Sequence, residues 1–259
     1  FNYEILRDDE KQKINEALLL LQRFNGKQGF EWLDTIDESS FDVEFVNNAI
    51  QYEESNTYTD RYFKKIKNAI LNKNVLIIKR EIFRNSSTIE LDVEFHPHFL
   101  KIFNNKWYAF GIKKELDVSR RSSIVPNYVI PIDRYIIDIN YSRKNYIKSD
   151  INYSSNSDND YFSEVIGVTN YLDKSSQKVK INIHSVERFR ILHSKPPHWS
   201  WQVVDQSTIP IQVSMTLKIN NELENYILRY SPDIEVVEPL ELKESIINKL
   251  KLILKKYTN

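Results

Sequence analysis

No cysteine occurs in these 259 residues, and there are only one methionine and four glycines. Without thiols the chain forms no disulfide and offers neither a thiolate nucleophile nor a soft metal ligand. That fits a cytoplasmic protein, although many exported chains also lack cysteine. The four glycines are too widely spaced to build a phosphate-cradling loop. No Gly-x-Ser-x-Gly elbow is present, and no serine sits in a recognisable catalytic context, so the chain is not expected to be an enzyme. Charge of one sign is missing too: 36 basic residues balance 36 acidic ones. A net charge of zero gives no long-range pull toward nucleic acid, so any such contact must come from a local patch. No run approaches the roughly 18 apolar residues of a membrane span, and no signal peptide is visible, so none is expected. Neither a membrane nor a cofactor is expected. The chain begins at Phe1 and its methionine is Met215, which makes a piece of a longer protein the expectation.

What is present suffices for folded domains. Apolar residues make up 41% and aromatic ones 12%, while 28% are charged. In "DDEKQKINEALLLLQRFNG" Ile14, Ala17, Leu18 and Leu21 recur at helical spacing, Asp8 and Asp9 suit the helix start, and Gly26 suits its end. A second helix is expected in "TDRYFKKIKNAILNK", with Tyr62, Ile66, Ile70 and Leu71 on one face. From Val75 the period becomes two. "IELDVEF" places Ile89, Leu91, Val93 and Phe95 on one side and Glu90, Asp92 and Glu94 on the other. Further strands are expected at "VLIIKREIF", "WYAFGIK", "NYVIPID" and "YIIDINY", with Asn104 and Asn105 as a hairpin tip. Five short strands with brief connections suggest a small antiparallel barrel.

"YSRKNYIKSDINYSSNSDND" is the best linker candidate. Beyond it, strands and helices follow in the order β-α-β-β-α-β plus a terminal helix, the ferredoxin-like pattern. In the last helix Leu242, Ile246, Leu250, Ile253 and Tyr257 form one stripe, with Pro239 just before it.

The densest chemistry lies in "FHPHFLKIFNNKWYAFG". His96 and His98 alternate on a strand, so both rings could reach one metal ion. No third ligand is identifiable, however, and Pro97 is expected to end the strand; polar packing at a strand end is the favoured reading, and no metal is expected. "GKQG" at 26–29 resembles a G-x-x-G nucleic-acid loop but lacks its surroundings, so it is read as a helix terminator. Basic residues interleave with aromatics: Lys79, Arg80 and Arg84 on one strand, Lys101, Lys106, Trp107 and Tyr108 on the next hairpin, Arg134 after "IPID". Flat rings beside cations suit stacked bases and phosphates, while rings filling a core beside solvated charges would produce the same pattern.

"HPHFLKIFNNKWYAFG" followed by "VIPIDRYI" resembles the WYL domain. The family's Pro-x-x-Leu is matched by Pro97 and Leu100, its Trp-Tyr-Leu strand and glycine by Trp107, Tyr108 and Gly111, and its Asp-Arg-Ile by Asp133, Arg134 and, one place late, Ile136. Ala109 stands where the family has leucine and Tyr135 where it has isoleucine. "IGVTNY", "KPPHWSWQVV" and "NNELENYILRYSPDIEVVEPLELKESI" resemble the C-terminal extension that accompanies WYL domains in bacterial transcription regulators, with Ser200-Trp201 in place of the usual Ser-Gln. Residues 9–70 resemble the helical segment that joins such a domain to an upstream winged helix-turn-helix.

The resemblance implies an α+β chain: a helical connector at 1–73, an Sm- or SH3-like β-barrel at 74–145, a linker at 146–174 and a ferredoxin-like extension at 175–259. It implies a homodimeric sensor of a nucleic-acid or nucleotide-like anion, acting on DNA through a winged helix-turn-helix missing here. The candidate ligand contacts are Lys79, Arg80, His98, Lys101, Tyr108 and Arg134, with Arg188 and Arg190 in the extension; Trp107 is expected in the core. The alternative is a ligand-free dimerisation or protein-interaction module.

Overall fold

The structure, a computed structural model, describes Arg7 and residues 60–84, 87–116, 122–153 and 161–258. The helix read around residues 8–26 and the "GKQG" stretch lie outside the described residues. The chain is of mixed α+β class with antiparallel sheets, and it divides into two compact units, Phe1–Lys148 and Ser149–Asn259.

In the first unit a helix α1 (Asp60–Leu71) precedes strands β1 (Val75–Arg84), β2 (Ser87–Phe103), β3 (Lys106–Leu116), β4 (Ser122–Pro131) and β5 (Ile136–Ser142). All pair antiparallel, in the order β4-β3-β2-β1-β5. β4 and β5 are therefore the two edges, yet only residues 132–135 join them. At a spacing of about 4.8 Å per strand, a flat five-stranded sheet would hold its edges roughly 19 Å apart. The connection is tightened by a hydrogen bond from Ile136 N to Asp133 O, 3.1 Å, and falls well short of that span. The sheet must therefore curl until its edges approach at this end. The same turn is fastened on both sides: Ile132 N donates to Trp107 O of β3, and Glu81 N of β1 donates to Tyr135 O, both at 2.8 Å.

Curling gives the sheet an inside. Leu76, Ile78, Val93, Phe95, Ala109, Ile130, Ile132, Ile136 and Ile139 bury one cluster with Phe63, Ile66 and Ala69 of α1. Each such large side chain contributes about 1.5–3 kcal/mol when fully withdrawn from water. Trp107 packs on this cluster, its ring 4.8 Å from that of Phe63. Tyr62 and Ile70 also pack there, but Leu71, read as part of the same face, is exposed. Five residues beyond Ile66 it lies about 140° around the helix, away from the sheet.

The hairpin tip is where it was read: Asn104 and Asn105 have φ of 48° and 57°, the left-handed pair of a tight two-residue turn. Pro97 does not end its strand. β2 continues to Phe103, and its register with β3 shifts between Pro97 and Phe99. Such a bulge accommodates a residue without an N–H inside a sheet. Opposite it stands Gly111, where an added Cβ would lie 2.2 Å from His96 O and 2.9 Å from the Phe95 ring. Glu94, read as solvent-facing, is buried, for a reason given in the next subsection.

The second unit runs β6 (Gln177–Ile183), α2 (Val186–Ser194), β7 (Gln202–Asp205), β8 (Ile211–Leu217), α3 (Asn221–Arg229), β9 (Ile234–Glu238) and α4 (Leu240–Tyr257). This is the element order read from the sequence. Its sheet is antiparallel in the order β7-β8-β6-β9, and Val179, Ile181, Val213, Met215 and Leu217 pack against Leu223, Ile227, Leu242 and Ile246 of the helices. Residues 161–170 pack into this unit as well, with Tyr161, Val165, Ile166 and Val168 buried. Asn220 ties them down: its side chain accepts from Leu223 N to cap α3 and donates to Ile166 O and Thr169 O, each at 2.8 Å. In α4 only Leu242 and Ile246 of the expected stripe are buried; Leu250, Ile253 and Tyr257 are exposed.

Replacing Gly111 with alanine forces β3 away from the bulge. Gly111→Ala is expected to destabilise the first unit by about 3 kcal/mol, the range of overpacked cores, measured by denaturant unfolding.

Candidate functional site

The two histidines of β2 act on a backbone. Ile147 N donates to His96 Nδ1 at 3.1 Å, and His98 Nε2 lies 2.9 Å from Ile147 O. Tyr146 donates its hydroxyl to Pro97 O at 2.6 Å, and its ring sits 5.1 Å from that of His98. Lys144 reaches Glu94 Oε2. Residues 144–147, which follow β5, are thus clasped along β2, and they cover Glu94 and the fully buried His96. The hydrogen bonds set the tautomers. His96 Nδ1 accepts and carries no proton, and its Nε2 faces Glu94 Oε1 at 3.5 Å. His98 donates from Nε2, and its Nδ1 is buried without a hydrogen-bond partner. Burial holds both imidazoles below their ordinary pKa, the Glu94 carboxylate partly opposing this at His96. Among the described residues no three His, Asp, Glu or Cys side chains are placed to hold a metal ion.

The other candidates separate. Lys101 and Tyr108 are brought together, directly opposite each other on β2 and β3, and Tyr108 faces Pro131 on β4. Three residues beyond Pro131, Arg134 is exposed on the turn that joins the sheet edges. Its guanidinium lies 5.2 Å over the Tyr135 ring and donates to that hydroxyl at 3.2 Å. Tyr135 in turn packs edge-on against Phe83, and Lys106 pairs with Asp133 at 3.1 Å. Lys79 is held by Glu90 at 2.5 Å, which raises its pKa. His98 belongs to the clasp.

Arg80 differs from all of these. It lies opposite Leu91 and Ile136, in the row that begins with Leu76 and Ile78, so its side chain enters the core face. Only 9% of it is exposed, and its Nε has no hydrogen-bond partner. No carboxylate pairs with it among the described residues. A cation in this position is ordinarily matched by an anion.

In the second unit the two arginines do not act together. On a helix, positions two apart point about 200° away from each other. Arg188 donates from Nε to Asp233 Oδ2 at 2.8 Å and stacks on Tyr230, whereas Arg190 is exposed. The partner of the two imidazoles went unread because Ile147 contributes only backbone groups, which no residue pattern announces; two histidines alternating on one strand face were the signal.

Comparison with known proteins bears out the C-terminal part of the resemblance. Residues 177–254 match the WCX domain family model, over the stretch read as the extension of WYL domains. No curated protein matches the chain. Solved structures do match. Proteasome accessory factor B/C (PafBC) of Arthrobacter aurescens is 9% identical over 84% of this chain, with a TM-score of 0.29, and the chain spans 30% of its length. A CRISPR Cas-related protein is 13% identical over 98% of this chain and 74% of its own, with a TM-score of 0.40.

Because folding lowers the proton affinity of His96 and His98, the clasp's contribution is complete above about pH 6.5 and is lost as the pH falls below it, where the unfolded chain takes up protons that the folded chain resists. Amides of β2 are expected to exchange faster at pH 5.5 than at 7.5 after correction for intrinsic rates. The difference is expected to shrink in the His96→Asn, His98→Gln double variant, which keeps the accepting and donating positions without the titration.

Proposed function

We propose that this chain is the effector-sensing part of a WYL-type transcription regulator. In this reading the curled sheet closes as an Sm- or SH3-like barrel, the WCX-containing unit is ferredoxin-like, and a winged helix-turn-helix outside this sequence contacts DNA. The protein is a regulator and performs no catalysis. The regulator class rests on the WCX match together with the Pro97, Trp107, Gly111 and Asp133-Arg134 series in the unit before it. The ligand reading rests on one observation: an arginine, Arg80, nine-tenths buried on the core face with a buried, unpartnered Nε. An anion matches that group as water does not, since a charge-assisted hydrogen bond to phosphate satisfies both members.

Around Arg80 the available chemistry suits a nucleotide or single strand. Arg134 stands on the turn bonded to Glu81, the residue after Arg80, and Lys101 beside Tyr108 supplies a cation next to a ring for stacking. Lys79 and His98 would contribute only by exchanging their present partners. Arg188 is committed to Asp233, and Arg190 would act from the surface of the second unit. Ligand binding at the barrel would shift an equilibrium that the helical connector passes to paired DNA-binding heads, which requires different ligand affinity in the two states.

The reading is tested first by extracting the purified chain for phosphate-bearing compounds at near-equal stoichiometry. For a single-stranded oligonucleotide at low salt, charge reversal by Lys101→Glu with Arg134→Glu is expected to weaken binding and to flatten the slope of log affinity against log salt by about 0.7 for each phosphate no longer neutralised. Unchanged binding with an intact dimer would instead favour the ligand-free dimerisation module. Arg80→Met separates ligand from structure. Its stability is expected to stay equal or rise, since an unpaired buried charge is replaced by an apolar chain of similar length, while affinity falls at least about tenfold.

A further inference from the structure

A small cavity in the second unit carries two opposite charges that pair with nothing. Its volume is about 120 Å³, and its walls include Tyr171, Lys174, Ile219, Glu224, Glu241 and Ser245. It therefore lies between the turn at 171–174, the start of α3 and the first turns of α4. These walls are fastened to one another. Lys174 N donates to Tyr171 O at 3.2 Å and closes the turn, two residues after Thr169, whose carbonyl is held by Asn220. Glu224 of α3 accepts from Ser245 Oγ and Lys249 Nζ, both at 2.5 Å, and so locks α4 to α3. A site on locked elements gives up little freedom when it is filled.

Of the charged groups in the wall, Glu224 is already satisfied. Burial would raise its carboxyl, but Lys249 and Ser245 outweigh burial and hold it below the usual range, with Lys174 adding a smaller pull. Lys174 and Glu241 remain. Both line the cavity, yet neither is within ion-pairing distance of the other or of any described side chain. The Lys174 ammonium stands over the Tyr171 ring, 5.1 Å from its centre, which gives the cation a defined seat.

This pair of charges selects the ligand. A simple anion drawn to Lys174 would meet Glu241, and a simple cation drawn to Glu241 would meet Lys174. A molecule carrying both charges a few bonds apart satisfies both groups and is repelled by neither. Size narrows the class further. The cavity is smaller than the ~150 Å³ that admits benzene, which leaves room for about five or six non-hydrogen atoms. Ile219, 6% exposed, offers apolar contact to a small side chain.

We infer that this cavity binds a small zwitterion of the amino-acid class, its carboxylate held by Lys174 and its ammonium by Glu241. The cavity belongs wholly to the second unit, so the inference does not depend on the anion read at Arg80. With both ends engaged, the ligand ties the turn at 171–174 to the first turn of α4.

L-Alanine is the probe, with propionate and ethylamine as the same molecule lacking one charge each. In an amide-resolved NMR titration of the whole chain, L-alanine is expected to shift residues 171–174, 219–221 and 241–245 with a dissociation constant at or below about 1 mM. Propionate and ethylamine are expected to bind at least about tenfold more weakly, since each leaves one charge unmatched. Lys174→Met and Glu241→Gln are each expected to weaken L-alanine at least about tenfold. Both positions are exposed, so circular dichroism is expected to show both variants folded. The variants are also expected to change selectivity, which a structural loss would not do: Lys174→Met binds L-alanine no better than ethylamine, and Glu241→Gln no better than propionate. No shift at these amides up to about 10 mM L-alanine, equal binding of the three compounds by the native chain, or variants that bind L-alanine as the native chain does would each overturn the assignment.

Discussion

Residues 132–135 carry a constraint on which the first unit depends. They join β4 to β5, the two outermost strands of a five-stranded sheet, across a distance that a flat sheet would make too long for them. Curvature is the geometric consequence, and the apolar interior follows from curvature, because rows that would face water on a flat sheet come to face one another. The position of the basic groups follows as well. Arg134 is exposed because it sits at the crest of this short connection, and Arg80 is buried because its row on β1 points inward where the edges converge.

A second dependency links three residues that look unrelated in sequence. Pro97 has no N–H to give, so β2 bulges there; the bulge pushes His96 O against β3, so only glycine fits at 111; and the histidines flanking the proline are left facing the strap of residues 144–147. The pattern "HPH" is thus one device, in which proline shapes the strand and the imidazoles hold what crosses it.

Much of the fold was legible from periodicity. The five strands of the first unit, the Asn-Asn tip and the complete β-α-β-β-α-β order with its terminal helix all announce themselves through alternation, turn residues and apolar stripes. Pro97 misled because a residue rule describes regular sheet, and a bulge is the exception a sequence does not signal. Glu94 misled because alternation assigns it to water, while the strap that covers it comes from fifty residues away. The site was less legible than the fold. Lys101 and Tyr108 do meet, since strand register follows from the hairpin, but Arg188 and Arg190 part because a helix turns where a strand would alternate. Nothing in composition distinguishes Arg80, with its unpartnered nitrogen, from Lys79 beside it, which is paired; that difference is set by which side of one strand faces inward.

Asn220 holds a helix start with one end of its amide and two carbonyls of residues 166 and 169 with the other. Those carbonyls belong to a segment that precedes the first strand of the second unit, 54 and 51 residues away from Asn220. The cap itself is local, from Leu223 N to Asn220 Oδ1, and closes without them. One amide thus joins the start of α3 to a distant segment, and a change that removed only its NH2 group would unfasten the segment while leaving the helix capped.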